Sequence, residues 1–220
     1  MKNVIIAGAS GMVGSHALEY CLEHPEIATV TSLVRKASGQ RHPKLKEIVH
    51  KNFLDFSSIE DAFMNQHLAL FCIGVYTGAV GKEKFREITV DIPQTFAETL
   101  KKHNKHINFC LLSGAGADRT EKSRTMFARD KGIIENILDA MELGEFHSFR
   151  PAYIYPVVPR DEPNFMYRFS RWLYKPLISK MGKNSSIKST DLARAMVKVG
   201  LEGNSLKILE NRDILSALGL

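Results

Sequence analysis

The chain has 220 residues, 44% of them hydrophobic and 25% charged, with a formal net charge of +6 and a sequence pI near 9.2. That length fits one large domain, or one domain with a small appendage, of ordinary soluble composition. A membrane span is excluded, because no stretch approaches the ~18 to 20 uncharged apolar residues that one needs.

The basic residues are scattered and no recognised nucleic-acid motif accompanies them, so the positive balance suits phosphate-bearing ligands better than nucleic acid. Cys21, Cys72 and Cys110 are odd in number, each in an apolar-rich segment, with neither zinc nor disulfide spacing. Reduced, buried thiols of a cytoplasmic protein are the expectation. The N-terminus is already strand-like and lacks a signal-peptide layout.

In chain order, residues Val4 to Gly14 read VIIAGASGMVG, an apolar strand running into Gly8, Gly11 and Gly14. A strand that stops at a glycine and restarts as a helix presents backbone amides to a pyrophosphate. Gly8 permits the tight turn, Gly11 the close approach of the phosphates, and Gly14 the packing of helix on strand. The helix N-terminus adds unpaired N–H groups and a positive dipole end, with Ser10, Met12 and Val13 completing the loop. Further strands are expected at Ala28–Arg35, Glu47–His50, Leu68–Ile73, Ile107–Ser113, Phe146–Arg150 and Lys207–Glu210, after a first at Asn3–Gly8. Helices are expected at Gly11–Leu22, Ser57–Met64, Lys82–His103, Ser123–Leu143 and Thr190–Leu201. This alternation predicts an α/β fold, a doubly wound parallel sheet with helices on both faces. After Pro151 the composition shifts, and residues 157–186, rich in aromatic and basic side chains between Asn164 and Met181, read as a small substrate-side lid. A membrane-surface or partner-docking helix is the competing account of that aromatic stretch.

In such a sheet, ligands bind beyond the carboxyl ends of the strands. The second strand ends in Arg35 and Lys36, where an NAD enzyme usually carries Asp or Glu for the ribose 2′-hydroxyl. A guanidinium matches a 2′-phosphate, worth about 1.5 to 3 kcal/mol in favour of NADP(H) over NAD. After the third strand, Asn52 can bond the adenine amino group while Phe53 covers the ring. Asp55 either joins them or caps the next helix. Cys72, Ile73 and Gly74 end the fourth strand, and Gly74 serves either the adenosine ribose or only the turn. Ser113 ends the fifth strand, Lys131 follows on the next helix with Phe127 one turn earlier, and Pro151, Ala152 and Tyr153 follow the sixth. His103 and His106 have metal-like spacing but stand among Lys101, Lys102 and Lys105, which disfavours a cation, and no metal site is expected. Ser10 is no nucleophile elbow, since Met12 stands where the second glycine would be.

The segments AGASGMVG, SLVRK, LLSGAGAD, KGIIE, FRPAYIYP and STDLARAMV, in this order, carry a resemblance to the short-chain dehydrogenase/reductase superfamily, in its atypical, extended-like branch. Within that branch the chain is similar to the Tat-interacting oxidoreductase-like proteins. The resemblance covers most of residues 1 to 156 and the helix after Thr190. It implies an NAD(P)-binding Rossmann fold and a Ser, Tyr and Lys around a substrate carbonyl: Tyr donates the proton, Lys lowers its pKa and holds the nicotinamide ribose, and Ser steadies the oxygen. Ser113 falls on the Ser position and Lys131 on the Lys position. The Tyr position falls on Phe127, which has no hydroxyl. Losing a positioned general acid costs about 10² to 10⁴ in rate. Tyr153, Tyr155, Ser113 itself, or a water held by Lys131 are the substitutes that location suggests.

The resulting expectation is an NADP(H)-dependent oxidoreductase acting on a small carbonyl-like substrate. A non-catalytic NADP(H)-binding, redox-sensing or interaction protein is the alternative. Relatives pair through the helices at 82–103 and 123–143, so monomer and homodimer both stay open.

Overall fold

The computed structural model describes residues 1–76, 78–158 and 185–220. Seven strands form one parallel sheet: β1 (Lys2–Ala7), β2 (Ile27–Val34), β3 (Leu45–Val49), β4 (Leu68–Phe71), β5 (Asn108–Leu112), β6 (Phe146–Arg150) and a last strand, Ile208–Glu210. Their order across the sheet is β3-β2-β1-β4-β5-β6 and then the last strand, so the chain reverses direction between β1 and β4. All seven expected strands are present, and the sheet has the doubly wound order in which ligands seat at that reversal.

The strands form here because β-branched and aromatic runs alternate between two buried faces. Val4 and Ile6 of β1 enter one core with α1 (Gly14–Glu23), while Ile5 and Ala7 enter the other. The second core is built on phenylalanine. The Phe96 ring lies 5.4 Å from Phe63, 5.5 Å from Phe71 and 6.0 Å from both Phe56 and Phe109. Edge-on and tilted pairs of this kind contribute about 0.5–1.5 kcal/mol beyond their buried area. Helix α1 and the helix at Ser189–Glu202 cover the first face together.

Several expected elements differ in form. The first helix begins at Gly14, not Gly11, because residues 9–13 make turns, with the Gly11 N–H bonded to the Gly8 carbonyl at 2.9 Å. The stretch at Ser57–Phe63 is a 3-10 helix, and Ile59 departs from helical geometry within it. The expected helix at 82–103 is α2 (Lys82–Arg86) and α3 (Ile92–His103) joined by a π-helical turn at Glu87–Asp91. Helix α4 is shorter than expected, Met126–Ala140. Three elements were not anticipated: β7 (Tyr153–Tyr155) and β8 (Ser186–Lys188), which pair in parallel as a second small sheet, and a final helix at Asn211–Ser216. In chain order the remaining elements are therefore α5 (Ser189–Glu202), β9 (Ile208–Glu210) and α6 (Asn211–Ser216). Glu210 and Asp213 close a reciprocal capping box at the start of α6. The expected lid at 157–186 lies almost wholly outside the described residues.

Candidate functional site

The glycine loop is shaped by contacts that admit no side chain. Gly8 has φ +93°, and a Cβ there would stand 2.8 Å from the carbonyl carbon of Cys72 and the nitrogen of Ile73. A Cβ on Gly14 would meet the Gly8 carbonyl oxygen at 2.1 Å. Helix α1 therefore starts directly against the strand-ending turn, which the spacing of glycines had foretold. The amides of Met12 and Val13, just ahead of the helix, bond to no acceptor among the described residues. That is the ordinary condition of a helix start and the reason such ends receive anions. Beside them a groove of about 210 Å3 is lined by Met12, Ser15, His16, Glu19, Val158 and Ser189. A dinucleotide's diphosphate fits this loop: close backbone, paired turn amides below and donors above.

Around the loop, the other sequence-derived residues gather at the same end of the sheet. Arg35 and Lys36 are exposed just past β2, and the segment beyond is tied down where the Ser38 N–H and hydroxyl both donate to the Glu47 carboxylate, at 2.9 and 2.6 Å. Asn52 is exposed, and its side-chain oxygen accepts the Leu54 N–H at 3.2 Å. Phe53 is buried, 5.7 Å from Phe56 and 6.0 Å from the His50 ring, so most of its surface serves the second core. Asp55 accepts the Ser57 N–H at 2.9 Å in the turn that leads into the 3-10 helix, whose N-cap is Phe56, and that bond holds its carboxyl below the usual range. Cys72 is buried, its N–H bonded to the Ala7 carbonyl at 2.8 Å, and burial pushes its thiol up to about 12. Cys21 and Cys110 are likewise free, buried and raised, so all three thiols are inert packing groups. Ile73 is half-buried and Gly74 exposed beyond β4.

At the other half of the sheet, Ser113 extends β5, its N–H bonded to the Phe149 carbonyl at 2.8 Å, and Ala115 continues the pairing to the Pro151 carbonyl at 3.0 Å. Ala152 donates its N–H to Asn211 at 3.0 Å, and the half-buried Tyr153 opens β7. Helix α4 is pressed onto the loop after β5. A Cβ on Gly132 would lie 1.8 Å from the Asp118 carbonyl oxygen, and the Asp118 N–H bonds to the Ala128 carbonyl at 2.8 Å. This crossing brings Lys131 to the end of β5, where its Nζ donates to the Leu112 carbonyl at 3.1 Å. Lys131 is 8% exposed, and burial lowers its amine to about 8 against an opposing pull from Glu135. Phe127 sits over Gly114, whose missing Cβ would stand 2.7 Å from the ring's Cζ. A second ring, Phe85, lies 6.4 Å away.

Sequence reasoning missed the centre of this half. Glu135, fully buried one turn beyond Lys131, accepts from the Ser113 hydroxyl at 2.7 Å, the Ser148 hydroxyl at 2.8 Å and Arg150 Nε at 3.0 Å, while Arg150 Nη2 meets its other oxygen. Arg150 also reaches Glu210 at 3.0 Å, so one guanidinium ties α4, β6 and β9 together. The available signal was the Glu of KGIIE, an acid on the buried face of a helix beside an apolar strand. Among the described residues no group of acids, thiols and imidazoles could hold a metal ion, and no helix is long and apolar enough to cross a membrane.

Comparison with known proteins follows the same lines. A model of the NAD dependent epimerase/dehydratase family matches residues 4–161. Protein fmp52, mitochondrial, of Aspergillus clavatus is 25% identical over 213 residues, covering 92% of this chain and 88% of that protein. Among solved structures, the Bordetella bronchiseptica enzyme WbmH in complex with NAD+ aligns with TM-score 0.69 and 21% identity, over 96% of this chain and 75% of that one. A short chain dehydrogenase family protein from Francisella tularensis aligns with TM-score 0.70 and 12% identity, over 98% and 99%.

Proposed function

This chain belongs to the NAD dependent epimerase/dehydratase family, and from that premise we propose that it is an NADP(H)-dependent oxidoreductase acting on a small carbonyl-like substrate. The observation that carries the reading is the glycine loop, closed so tightly by Gly8 and Gly14 that the start of α1 stands open to a diphosphate. Arg35 and Lys36, exposed at the strand end where the adenosine ribose belongs, support NADP(H) over NAD. Asn52, Phe53, Ile73 and Gly74 would flank the adenosine, and Lys131, Pro151, Ala152 and Tyr153 the nicotinamide side. The bound dinucleotide supplies hydride chemistry, and the protein's own residues orient the carbonyl and manage its proton.

A calorimetric titration with NADPH and NADH tests this. We expect at least a tenfold preference for NADPH, lost in Arg35→Ala, from the energy of one charge-assisted contact. Equal affinities in the wild type would remove Arg35 from the cofactor site. A second reading, a non-catalytic NADP(H)-binding protein, is favoured by one observation: Phe127 fills the proton donor's place and packs over Gly114. NADPH oxidation across aldehydes, ketones, quinones and flavins separates the two, since turnover eliminates the second reading. Three buried free thiols suit a reducing compartment such as the cytoplasm, and cell fractionation checks that placement against the mitochondrial name of the fungal relative.

A further inference from the structure

The polar network under the site decides where protons sit. A carboxylate facing a guanidinium only accepts hydrogen bonds, so the Ser113 hydroxyl proton is committed to Glu135, and Ser113 offers lone pairs to whatever binds beside it. Phe127 has no proton to give. Of the three positions around a bound carbonyl, only Lys131 carries one that is free to move. Its Nζ uses one N–H on the Leu112 carbonyl, and an ammonium has two more. Glu135 stands four residues along α4 from Lys131, on the same face.

We infer that Lys131 hands the proton directly to the oxygen of a carbonyl bound at the end of β5, and that Glu135 is the positioning residue that keeps this amine charged and Ser113 accepting. The inference rests on the carbonyl-reducing reading above. The carbonyl carbon gains a hydride as a C–H bond of the reduced dinucleotide breaks, and the π pair moves to oxygen. The O–H bond forms as an N–H bond of Lys131 breaks, and the neutral amine regains a proton from water. The carbonyl is reduced and the dinucleotide oxidised.

The charged groups packed near Lys131 come from several elements. Glu135 and Asp130 lie on its own helix, Arg150 comes from β6, and Arg86 from α2 pairs with Asp130 at 3.3 Å, with Arg129 3.9 Å from the same carboxylate. Arg86 is matched to Asp130, and Arg150 is shared between Glu135 and Glu210, so Glu135 favours the ammonium with part of its charge already balanced by Arg150. An amine releasing its proton near pH 8 is well matched to proton transfer close to neutrality.

The test is carbon-13 NMR of the whole protein labelled at the lysine ε-carbons, titrated with pH in wild type, Lys131→Met and Glu135→Gln. We expect one resonance, absent from Lys131→Met, to titrate near pH 8 in wild type and about one pH unit or more lower in Glu135→Gln. A Lys131 that titrates in the ordinary lysine range, or that ignores Glu135→Gln, overturns the inference. Should Glu135→Gln fail to fold, Ser113→Ala decides, because it leaves the carboxylate in place. A midpoint close to wild type supports Glu135 as the controlling charge, and a displacement of about a pH unit assigns that control to the serine and overturns the role of Glu135. Where the substrate panel finds carbonyl reduction, the rate falls above the same midpoint and that fall moves with Glu135→Gln. A merely structural glutamate would lower the rate without moving the profile. NADPH calorimetry on the same samples keeps the two readings apart. Absent NADPH binding removes the cofactor reading and with it the hydride this inference needs, whereas NADPH binding with a Lys131 in the ordinary lysine range overturns this inference alone.

Discussion

The two halves of the sheet reach functional readiness by opposite means. At β1–α1 the site is made of backbone: three glycines, amides before a helix, and distances too short for any side chain. At β5–α4–β6 it is made of side chains: two serines and an arginine held by four hydrogen bonds to one buried glutamate, beside a lysine held on the Leu112 carbonyl. The first half tolerates almost no added atom. The second tolerates no missing partner. A backbone site fails by overpacking, and a polar network fails by leaving a charge alone.

The largest expected effect lies in the second half. Glu135→Ala leaves the half-buried Arg150 guanidinium and two buried hydroxyls without their acceptor, at a cost of about 3–5 kcal/mol in urea unfolding. A loss below about 1 kcal/mol would mean that Glu210 and water suffice for Arg150, and the contrast between halves would weaken.

In the first half, Gly14→Ala puts a methyl group 2.1 Å from the Gly8 carbonyl oxygen, so the start of α1 must shift. The expected cost is about 1–3 kcal/mol of stability, with dinucleotide affinity falling far more than stability does. A variant that binds dinucleotide as wild type does would show that the close helix–strand contact is dispensable.

The third effect has the opposite sign. Lys131 is carried at a cost, since burial lowers its amine from 10.5 to about 8. Below pH 8 both folded and unfolded chains hold this proton, and the folded state bears the full penalty. Between pH 8 and 10.5 the folded state has released the proton while the unfolded chain still binds it, so stability rises with pH and the penalty is gone above. Lys131→Met should therefore stabilise the fold by about 1–3 kcal/mol at pH 7 and abolish the rise between pH 8 and 10.5. A destabilised variant, or an unchanged pH dependence, would place Lys131 in a wetter setting than the fold provides. Stability gained by removing a group is the signature of one retained for its chemistry.

The difference between halves also explains what could be read from the chain beforehand. Glycine spacing and strand periodicity are local, so β1, the turn at Gly8 and the doubly wound order were legible, and the start of α1 was misplaced by the turns of residues 9–13. The junction of Ser113, Glu135, Ser148 and Arg150 depends on a helix residue meeting one strand 22 residues back and on that strand pairing with another further along the chain, and no local pattern encodes that register. Asp55 shows the same limit on a smaller scale: a carboxylate suited to two partners, with the Ser57 amide taking it once the turn forms. The π turn at Glu87–Asp91 lies inside what reads as one continuous helical pattern from Lys82 to His103, and nothing in that pattern marks it.

A crystal structure grown with saturating NADPH bears most directly on the account. The diphosphate should lie against the amides of Met12 and Val13 at the start of α1, with the 2′-phosphate beside Arg35 and the nicotinamide toward Lys131. A dinucleotide seated elsewhere on the sheet, or that crevice filled by the protein's own side chains, would contradict it.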